Sequence, residues 1–575
     1  MDDKEKTDMG SYADPGNDIY RNPILFADYS DPDVIRVGDT FYLTASSFNY
    51  TPGLPILTSK DLVNWTLVNY ALDNIPEKRY SIPRHSEGVW APSIRFHDGM
   101  FYIYYGMPDE GIYVVRTKDP LGKWEEPVCV LEGKGLIDSC PFWDEDGKAY
   151  IIHGYAKSRI GFKSILGIFE MSPDGLRAIS EDHFIFDGND PKHPAVTIEG
   201  PKAYKRDGYY YILAPAGGVK FGYQVALRSK NIHGPYEIKE IMHTGNTVIN
   251  GPHQGGLVDT DKGQEWFIHF QDRGFYGRIC HLQPVAWENG WPVIGINPDE
   301  NGCGEPVYEY KKPAVNNSTE AVKNHGKEDI TKDGNDSESG LTSTDHFKDG
   351  EPDLCWQWLG NHKNIFYGRT ENKDGIRLYA LNVSGENSPI IWKSANVLTQ
   401  KLIYPTFTTD ISLDIAGLRS GERAGICMMG GQYITAYVKN ENGKFSVVVA
   451  ESEGGDRDKI EVIKSETSLD AILPERNTHI TFRMEFSLDG IKADKKDLYF
   501  ANVSNPAGGK NPSLKISIGQ DKNEGDQKFY DLGTNYTPSD HTWVGAKIGI
   551  YAFGEEENSS NSGYADFKSV VTREI

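Results

Sequence analysis

Long apolar runs are absent. No stretch of about 18 consecutive apolar residues occurs in the 575-residue chain, so no bilayer-spanning helix is expected. Basic residues are in deficit: 60 Lys and Arg stand against 83 Asp and Glu, a formal charge of −23. Sequence-independent nucleic-acid binding needs clustered Lys and Arg to replace counterions, so nucleic acid is a poor partner class. Docking on an anionic membrane surface is disfavoured by the same charge. Cysteine is scarce. Cys129, Cys140, Cys280, Cys303, Cys355 and Cys427 form no CxxC pair and no tight cluster. Zinc-ligand spacing is therefore missing, and the thiols read as reduced core residues. The N-terminal stretch MDDKEKTDMGSYADPGN is acidic and has no apolar h-region. That favours a cytoplasmic protein; a removed leader would make it secreted or periplasmic.

Aromatics and glycine are plentiful, with 32 Tyr, 11 Trp and 60 Gly. They fall into a repeat. DPDVIRVGDTFYLTAS from Asp31, APSIRFHDGMFYIYYG from Ala91 and DSCPFWDEDGKAYIIHG from Asp138 share a strand, a Gly turn and an aromatic-rich strand. GPKAYKRDGYYYILAPAG from Gly200 and PHQGGLVDTDKGQEWFIHF from Pro252 repeat it. The turn glycines Gly38, Gly99, Gly147, Gly208 and Gly263 are 61, 48, 61 and 55 residues apart. Such turns between alternating apolar runs need positive φ and signal hairpins. A second sub-motif follows in GLPILTSKDLVNW, GIYVVRTKDPLGKW and YQVALRSKNIHGPY. Five units, each of about four strands, describe a five-bladed β-propeller over residues 1–312. One long β-sandwich with similar turns is the competing reading.

Residues 313–341 hold no aromatic residue and are polar throughout, which reads as a linker or long surface loop. From 342 to 575 strand patterns resume with Gly-, Asn- and Asp-rich turns, and helix-period stretches are lacking. The fold class is therefore all-β, a propeller followed by a two-sheet β-sandwich.

The innermost strand of each blade lines the central channel, so residues ahead of each turn glycine approach the axis. Nine positions back lie Trp90, Asp138 and Glu199; ten back in blade five lies His253; seven back in blade one lies Asp31. The register places these five at equivalent points of one ring. Clustered carboxylates raise the pKa of at least one, which supplies a general acid near neutrality. Glycoside hydrolysis needs such an acid and a second carboxylate to activate water. Trp90 offers a ring on which a sugar stacks. Plainer roles compete: Asp31 as a turn cap, Asp138 and Glu199 as structural acids, His253 as a core histidine.

These stretches resemble glycoside hydrolase family 43. The resemblance rests on NPILFADYSDPDVIRVGDTFYLTASSF, EGVWAPSIRFHDGMFYI, GLIDSCPFWDEDGKAYI, IEGPKAYKRDGYYYI and NGWPVIG. It implies an inverting enzyme with Asp31 as general base, Glu199 as general acid and Asp138 as the carboxylate that raises and orients the acid. It implies that His253 holds a channel ion, usually calcium, mostly through water, and that no cofactor is required for the chemistry. Arg278 would contact sugar hydroxyls and carboxylates; Phe48, Trp90 and Trp291 would be substrate-binding aromatics. The C-terminal part is similar to the concanavalin A-like sandwich of the β-xylosidase and α-L-arabinofuranosidase branch. There a loop often closes one side of the pocket, which implies exo action.

The blade-one motif departs from the family pattern by an extra acid, Asp33, which shares a strand face with Asp31. Where the xylosidase subgroup continues with Glu-Thr after the arginine, this chain reads Ile279-Cys280. The expected function is thus release of terminal pentose from arabinoxylan, arabinan or xyloglucan fragments, with α-L-arabinofuranosyl favoured. β-D-Xylosidase or dual activity is the alternative, and a non-catalytic carbohydrate-binding propeller or a retaining fructosidase lies further off. Asp566 is read either as a cross-strand hydrogen-bond partner in its YADF strand or as a ligand for a second calcium, in the sandwich. Partners are small carbohydrates, and the oligomeric state is left open.

Overall fold

A computed structural model describes residues 11–316, 341–473, 478–488, 495–500, 512–520 and 528–575. Most of the expected linker at 313–341 lies outside the described residues. The five turn glycines adopt φ between +65 and +84, and a Cβ on any of them would meet nothing within 4 Å. They are glycine for backbone conformation and not for space. Each closes an antiparallel hairpin: Asp33–Val37 with Thr40–Thr44, Trp90–His97 with Met100–Met107, and Leu136–Trp143 with Ala149–Tyr155. Lys202–Arg206 with Tyr209–Ala216 and Gly255–Asp259 with Glu265–Asp272 follow. Two further strands complete every blade, giving five four-stranded sheets. The first strands of neighbouring blades lie against one another and surround the channel.

Apolar side chains fill the wedges between blades. Leu54 and Ile56 of blade one pack with Ile94, Ile103 and Tyr105 of blade two, and this burial drives closure of the ring. Blade five is built from one continuous run, so no N-terminal strand completes it. The ends meet beside it instead: Ile19–Arg21 pairs with Glu309–Lys311. Tyr20 Oη and Asn22 Nδ2 each donate to the Leu282 carbonyl at 2.8 Å, tying the start of the chain to blade five.

The C-terminal part is a sandwich of two seven-stranded antiparallel sheets. Alternation builds its core: Ile480, Phe482, Met484 and Phe486 of His479–Leu488 all point inward, as a half-buried strand requires. The sandwich is fused to the propeller. Phe26, Phe275 and Tyr276 of the propeller belong to the sandwich core cluster. Thr51 and Trp358 exchange backbone hydrogen bonds of 3.0 and 2.6 Å. Asp28 accepts from the Arg278 and Gly545 N–H groups, both at 2.9 Å, one on each side of the interface.

Candidate active site

The approach to the inner strand carries a backbone kink in blades one to four. Asp31, Ala91, Asp138 and Gly200 have φ of 54, 40, 61 and 57. In blades two and three the kink is a β-bulge, between Trp90 and Ser93 and between Ile137 and Cys140. Left-handed backbone costs an L-residue about 1–2 kcal/mol, and Asp tolerates it better than most. Such strain collects at functional sites. The kinks also correct the register counted from glycines. Asp31 and Asp138 are equivalent to Ala91 and Gly200, whereas Glu199 and Trp90 sit one residue earlier. The count slipped because the blade-three turn is longer: Trp143 pairs with Ala149, whereas His97 pairs with Met100.

Asp31 is a buried acceptor. Oδ2 receives Ser30 Oγ at 2.9 Å and Ser46 Oγ at 2.7 Å, and Oδ1 receives Arg278 Nη1 at 2.9 Å. Asp138 is 4% exposed. Its Oδ2 accepts the Gly200 N–H at 2.8 Å. Burial above all, then the charges of Glu199 and Asp31, push its carboxyl up to about 8 against the pull of Gly200 and Lys202. Glu199 keeps about a third of its side-chain surface in solvent, at 36%, and His253 Nε2 lies 2.9 Å from its Oε1. Three carboxylates from three blades therefore converge, and the raised proton affinity falls on Asp138.

Asp33 is separated from this group. Its side chain is fully buried, and Oδ2 accepts Arg95 Nη1 at 2.6 Å and the Ile94 N–H at 2.9 Å. Arg95 continues to Cys140 Sγ at 3.2 Å. Lys202 of blade four reaches Ser93 Oγ of blade two at 2.8 Å. These contacts link blades one, two, three and four beside the channel through one ion pair and the bonds of Arg95 and Lys202 to neutral partners.

The aromatic expectations divide. Trp90 is half-buried at the pocket rim, its Nε1 donating to the Ser86 carbonyl at 3.0 Å, with the Arg159 guanidinium 5.3 Å from its ring centre. Phe48 is buried in a cluster shared with sandwich residues Leu359 and Trp392, against which Trp90 packs. It supports the wall from behind. Trp291 is misassigned: it lies on the outermost strand of blade five, paired with Glu288, and its ring stacks on Arg228 at 4.2 Å. Outer strands face away from the axis, so this ring cannot reach the acids. Asp566 takes the cross-strand role and not that of a metal ligand: both its oxygens are held by Arg377 at 2.8 and 2.9 Å across neighbouring strands.

One site residue escaped the sequence reading. Trp543, on a sandwich loop, stands 6.3 Å from Trp90 between ring centres at 69°, and Arg278 lies 5.4 Å from its ring. It is 43% exposed, the one tryptophan among the exposed large apolar side chains of the described residues. Its neighbourhood in sequence, SDHTWVGA, carries no repeat or catalytic pattern, and only the packing of the two domains brings it to the pocket. Among the described residues, the group with metal-ligand chemistry is Glu240, His243 and Cys303. His243 Nδ1 is already 3.6 Å from the Glu240 carboxylate, and Glu240 lies on, and His243 just after, Glu237–Met242, the outermost strand of blade four.

Comparison with known proteins agrees with this architecture. The model of glycosyl hydrolases family 43 matches residues 20–292. That of the beta xylosidase C-terminal concanavalin A-like domain matches residues 344–572. A putative beta-xylosidase of Xylanibacter ruminicola is 38% identical over 69% of this chain and 69% of its own length. A beta-xylosidase of Formosa agariphila is 30% identical over 98% of this chain and 91% of its own length. A non-reducing end alpha-L-arabinofuranosidase of Bacteroides ovatus is 30% identical over 64% of this chain and 67% of its own. Among solved structures, a bifunctional protein of Bacteroides eggerthii superposes with a TM-score of 0.72 at 25% identity, over 96% of this chain and 64% of that one. The chain belongs to glycoside hydrolase family 43, an exo-glycosidase in which a five-bladed propeller is joined to a concanavalin A-like sandwich.

Proposed function

We propose that the chain releases single pentose units from the non-reducing ends of hemicellulose oligosaccharides with inversion, terminal β-D-xylosyl first and α-L-arabinofuranosyl second. The observation that carries the chemistry is the convergence of Asp31, Asp138 and Glu199, with Trp543 walling the pocket beside Trp90. The order of the two sugars rests on the β-xylosidase that matches both domains, and it reverses the preference expected from sequence. The arabinosyl reading is kept because the Bacteroides ovatus relative acts on that sugar.

In the proposed step, Asp31 takes a proton from water, whose oxygen forms the new bond to the anomeric carbon. The glycosidic carbon–oxygen bond breaks on the opposite face, and Glu199 gives its proton to the departing oxygen. Arg278 fixes Asp31, and its guanidinium borders the pocket. Burial and the neighbouring carboxylates raise the Asp138 carboxyl to about 8, which keeps a protonated acid beside Glu199 near neutral pH. His253 holds Glu199 through Nε2, which leaves Nδ1 buried without a protein partner. That single nitrogen suits a water-bridged channel ion and not one caged by carboxylates; no step runs through it.

The test is hydrolysis of 4-nitrophenyl β-D-xylopyranoside and 4-nitrophenyl α-L-arabinofuranoside, with the first-formed anomer read by NMR. Xyloside turnover above arabinoside turnover, with inverted product, supports the reading. Retained configuration overturns the mechanism, and dominant arabinoside turnover overturns the order of substrates.

A further inference from the structure

Trp543 sits in a turn closed by two backbone hydrogen bonds between His541 and Val544, each 2.9 Å. Its φ is +70. A bulky residue in left-handed backbone persists only where its surroundings hold it. The residue two positions earlier supplies the hold. His541 Nε2 lies 3.1 Å from Asp456 Oδ2, within the sandwich. His541 Nδ1 lies 2.7 Å from Oγ of Ser86, on the propeller. Ser86 Oγ in turn contacts the Thr542 carbonyl.

The chemistry of the partners assigns the hydrogens in this chain. A carbonyl only accepts, so the Ser86 hydroxyl hydrogen points at Thr542. Ser86 Oγ then accepts from His541 Nδ1–H, and the Asp456 carboxylate accepts from Nε2–H. Making both contacts as hydrogen bonds places hydrogen on both ring nitrogens, which is the imidazolium form. The same geometry rules out a hydrolytic Ser–His–Asp triad, because the serine hydrogen is not directed at the imidazole.

Resting on the glycosidase reading above, we propose that His541 is a positioning residue: clamped as an imidazolium between Asp456 and Ser86, it docks the sandwich loop on the propeller and holds Trp543 over the sugar pocket. Loss of one proton removes one of the two bonds and frees the turn. Other groups around the ring do not replace it. His85 packs edge-on at 5.8 Å, and burial drives its own pKa down to about 3. Trp392 covers another edge at 5.2 Å, with Lys459 Nζ 4.1 Å from its ring. Asp456 is the facing acid, 61% exposed and paired here with the histidine. Substrate affinity therefore weakens as pH rises and the imidazolium is lost, independently of the carboxylates that set kcat.

Steady-state kinetics on both 4-nitrophenyl glycosides from about pH 5 to pH 8, where histidines switch charge, test this. The comparison is of wild type with His541→Gln, Ser86→Ala and Trp543→Ala. The expected wild-type KM climbs with pH. His541→Gln raises KM about tenfold at the acidic end, as loss of a charged hydrogen bond implies, removes the slope and leaves kcat within about twofold. Trp543→Ala reproduces the raised, pH-flat KM. A wild-type KM and slope in His541→Gln, or an unchanged KM in Trp543→Ala, overturns the proposal. Amide exchange of residues 541–545 reads the clamp without turnover. Protection, corrected for intrinsic rate, falls between pH 5 and pH 8 in wild type and is uniformly low in His541→Gln. Equal protection in the two overturns the clamp even where neither glycoside is a substrate, which would refute the activity reading separately.

Discussion

The backbone N–H of Gly200 donates to Oδ2 of Asp138 at 2.8 Å. Gly200 follows Glu199 directly, so a carboxylate on blade three is bonded to the peptide that carries the acid on blade four. The orientation of Glu199 is thus set through its own backbone, and His253 fixes the carboxyl end at 2.9 Å.

Asp138→Asn keeps the acceptor for Gly200 and removes the titration. The folded carboxyl has its pKa raised to about 8 from 3.8. For a raised acid, the stabilising contribution is full below the unfolded pKa and is lost as pH rises through the folded one. Wild-type stability therefore declines across about pH 4 to 8 as only the unfolded chain releases the proton. The substitution removes that decline. Thermal unfolding from pH 4 to 9 is expected to show the variant gaining on wild type with rising pH, by a few kcal/mol at most. Activity falls meanwhile. A constant difference across pH would refute the raised proton affinity of Asp138.

Glu199→Gln and Asp31→Asn separate acid from base. Each is expected to lower kcat by about 10²–10⁴-fold, the usual size of general acid–base assistance. Because 4-nitrophenolate leaves without much help, Glu199→Gln loses less on the chromogenic substrate than on a xylo-oligosaccharide. Asp31→Asn loses similarly on both. Parallel kinetics on the two substrate types check this, and identical losses for both variants would remove the assignment of roles.

Asp33→Ala tests the neighbouring acid. Asp33 is fully buried against Arg95 at 2.6 Å, and removing one member of a buried pair costs about 3–5 kcal/mol. The expected result is a clear drop in melting temperature with kcat per folded molecule close to wild type. Asp31→Ala also breaks a buried pair, with Arg278 at 2.9 Å, so it lowers the melting temperature too, but it loses turnover per folded molecule. Denaturation and active-site titration on the two variants decide it.

The repeat was legible because blade geometry is local: five Gly turns, each followed by an aromatic strand, needed no tertiary knowledge. The acids were legible for the same reason, since each stands within a residue or two of the same place ahead of a hairpin. The one-residue slip at Glu199 came from the longer Asp144–Lys148 turn, which shifts a count made from glycine and not a count made from the kink. Trp543 was invisible because nothing in its own segment marks it; its role depends on how the 356–358 strand and the Asp28 carboxylate dock the sandwich. Trp291 misled because an aromatic in a family motif was read as a ligand contact, when its ring belongs to the outer face with Arg228.

Trp90 and Trp291 make a matched final comparison, since both are half-buried and both meet an arginine, at 5.3 and 4.2 Å. Packing alone would give Ala substitutions at the two sites similar costs, about 1.5–3 kcal/mol of lost burial each. Their places in the blade differ. Trp90 begins an inner strand and faces Trp543 at 6.3 Å, whereas Trp291 begins the outermost strand of blade five. Trp90→Ala is therefore expected to raise KM about tenfold or more through the lost stacking face, on top of its stability loss. Trp291→Ala is expected to lower the melting temperature and leave kcat and KM unchanged. Kinetics measured well below both melting temperatures separate the two effects. A KM change in Trp291→Ala at that temperature would mean that the outer edge of blade five communicates with the pocket, which no contact described above provides.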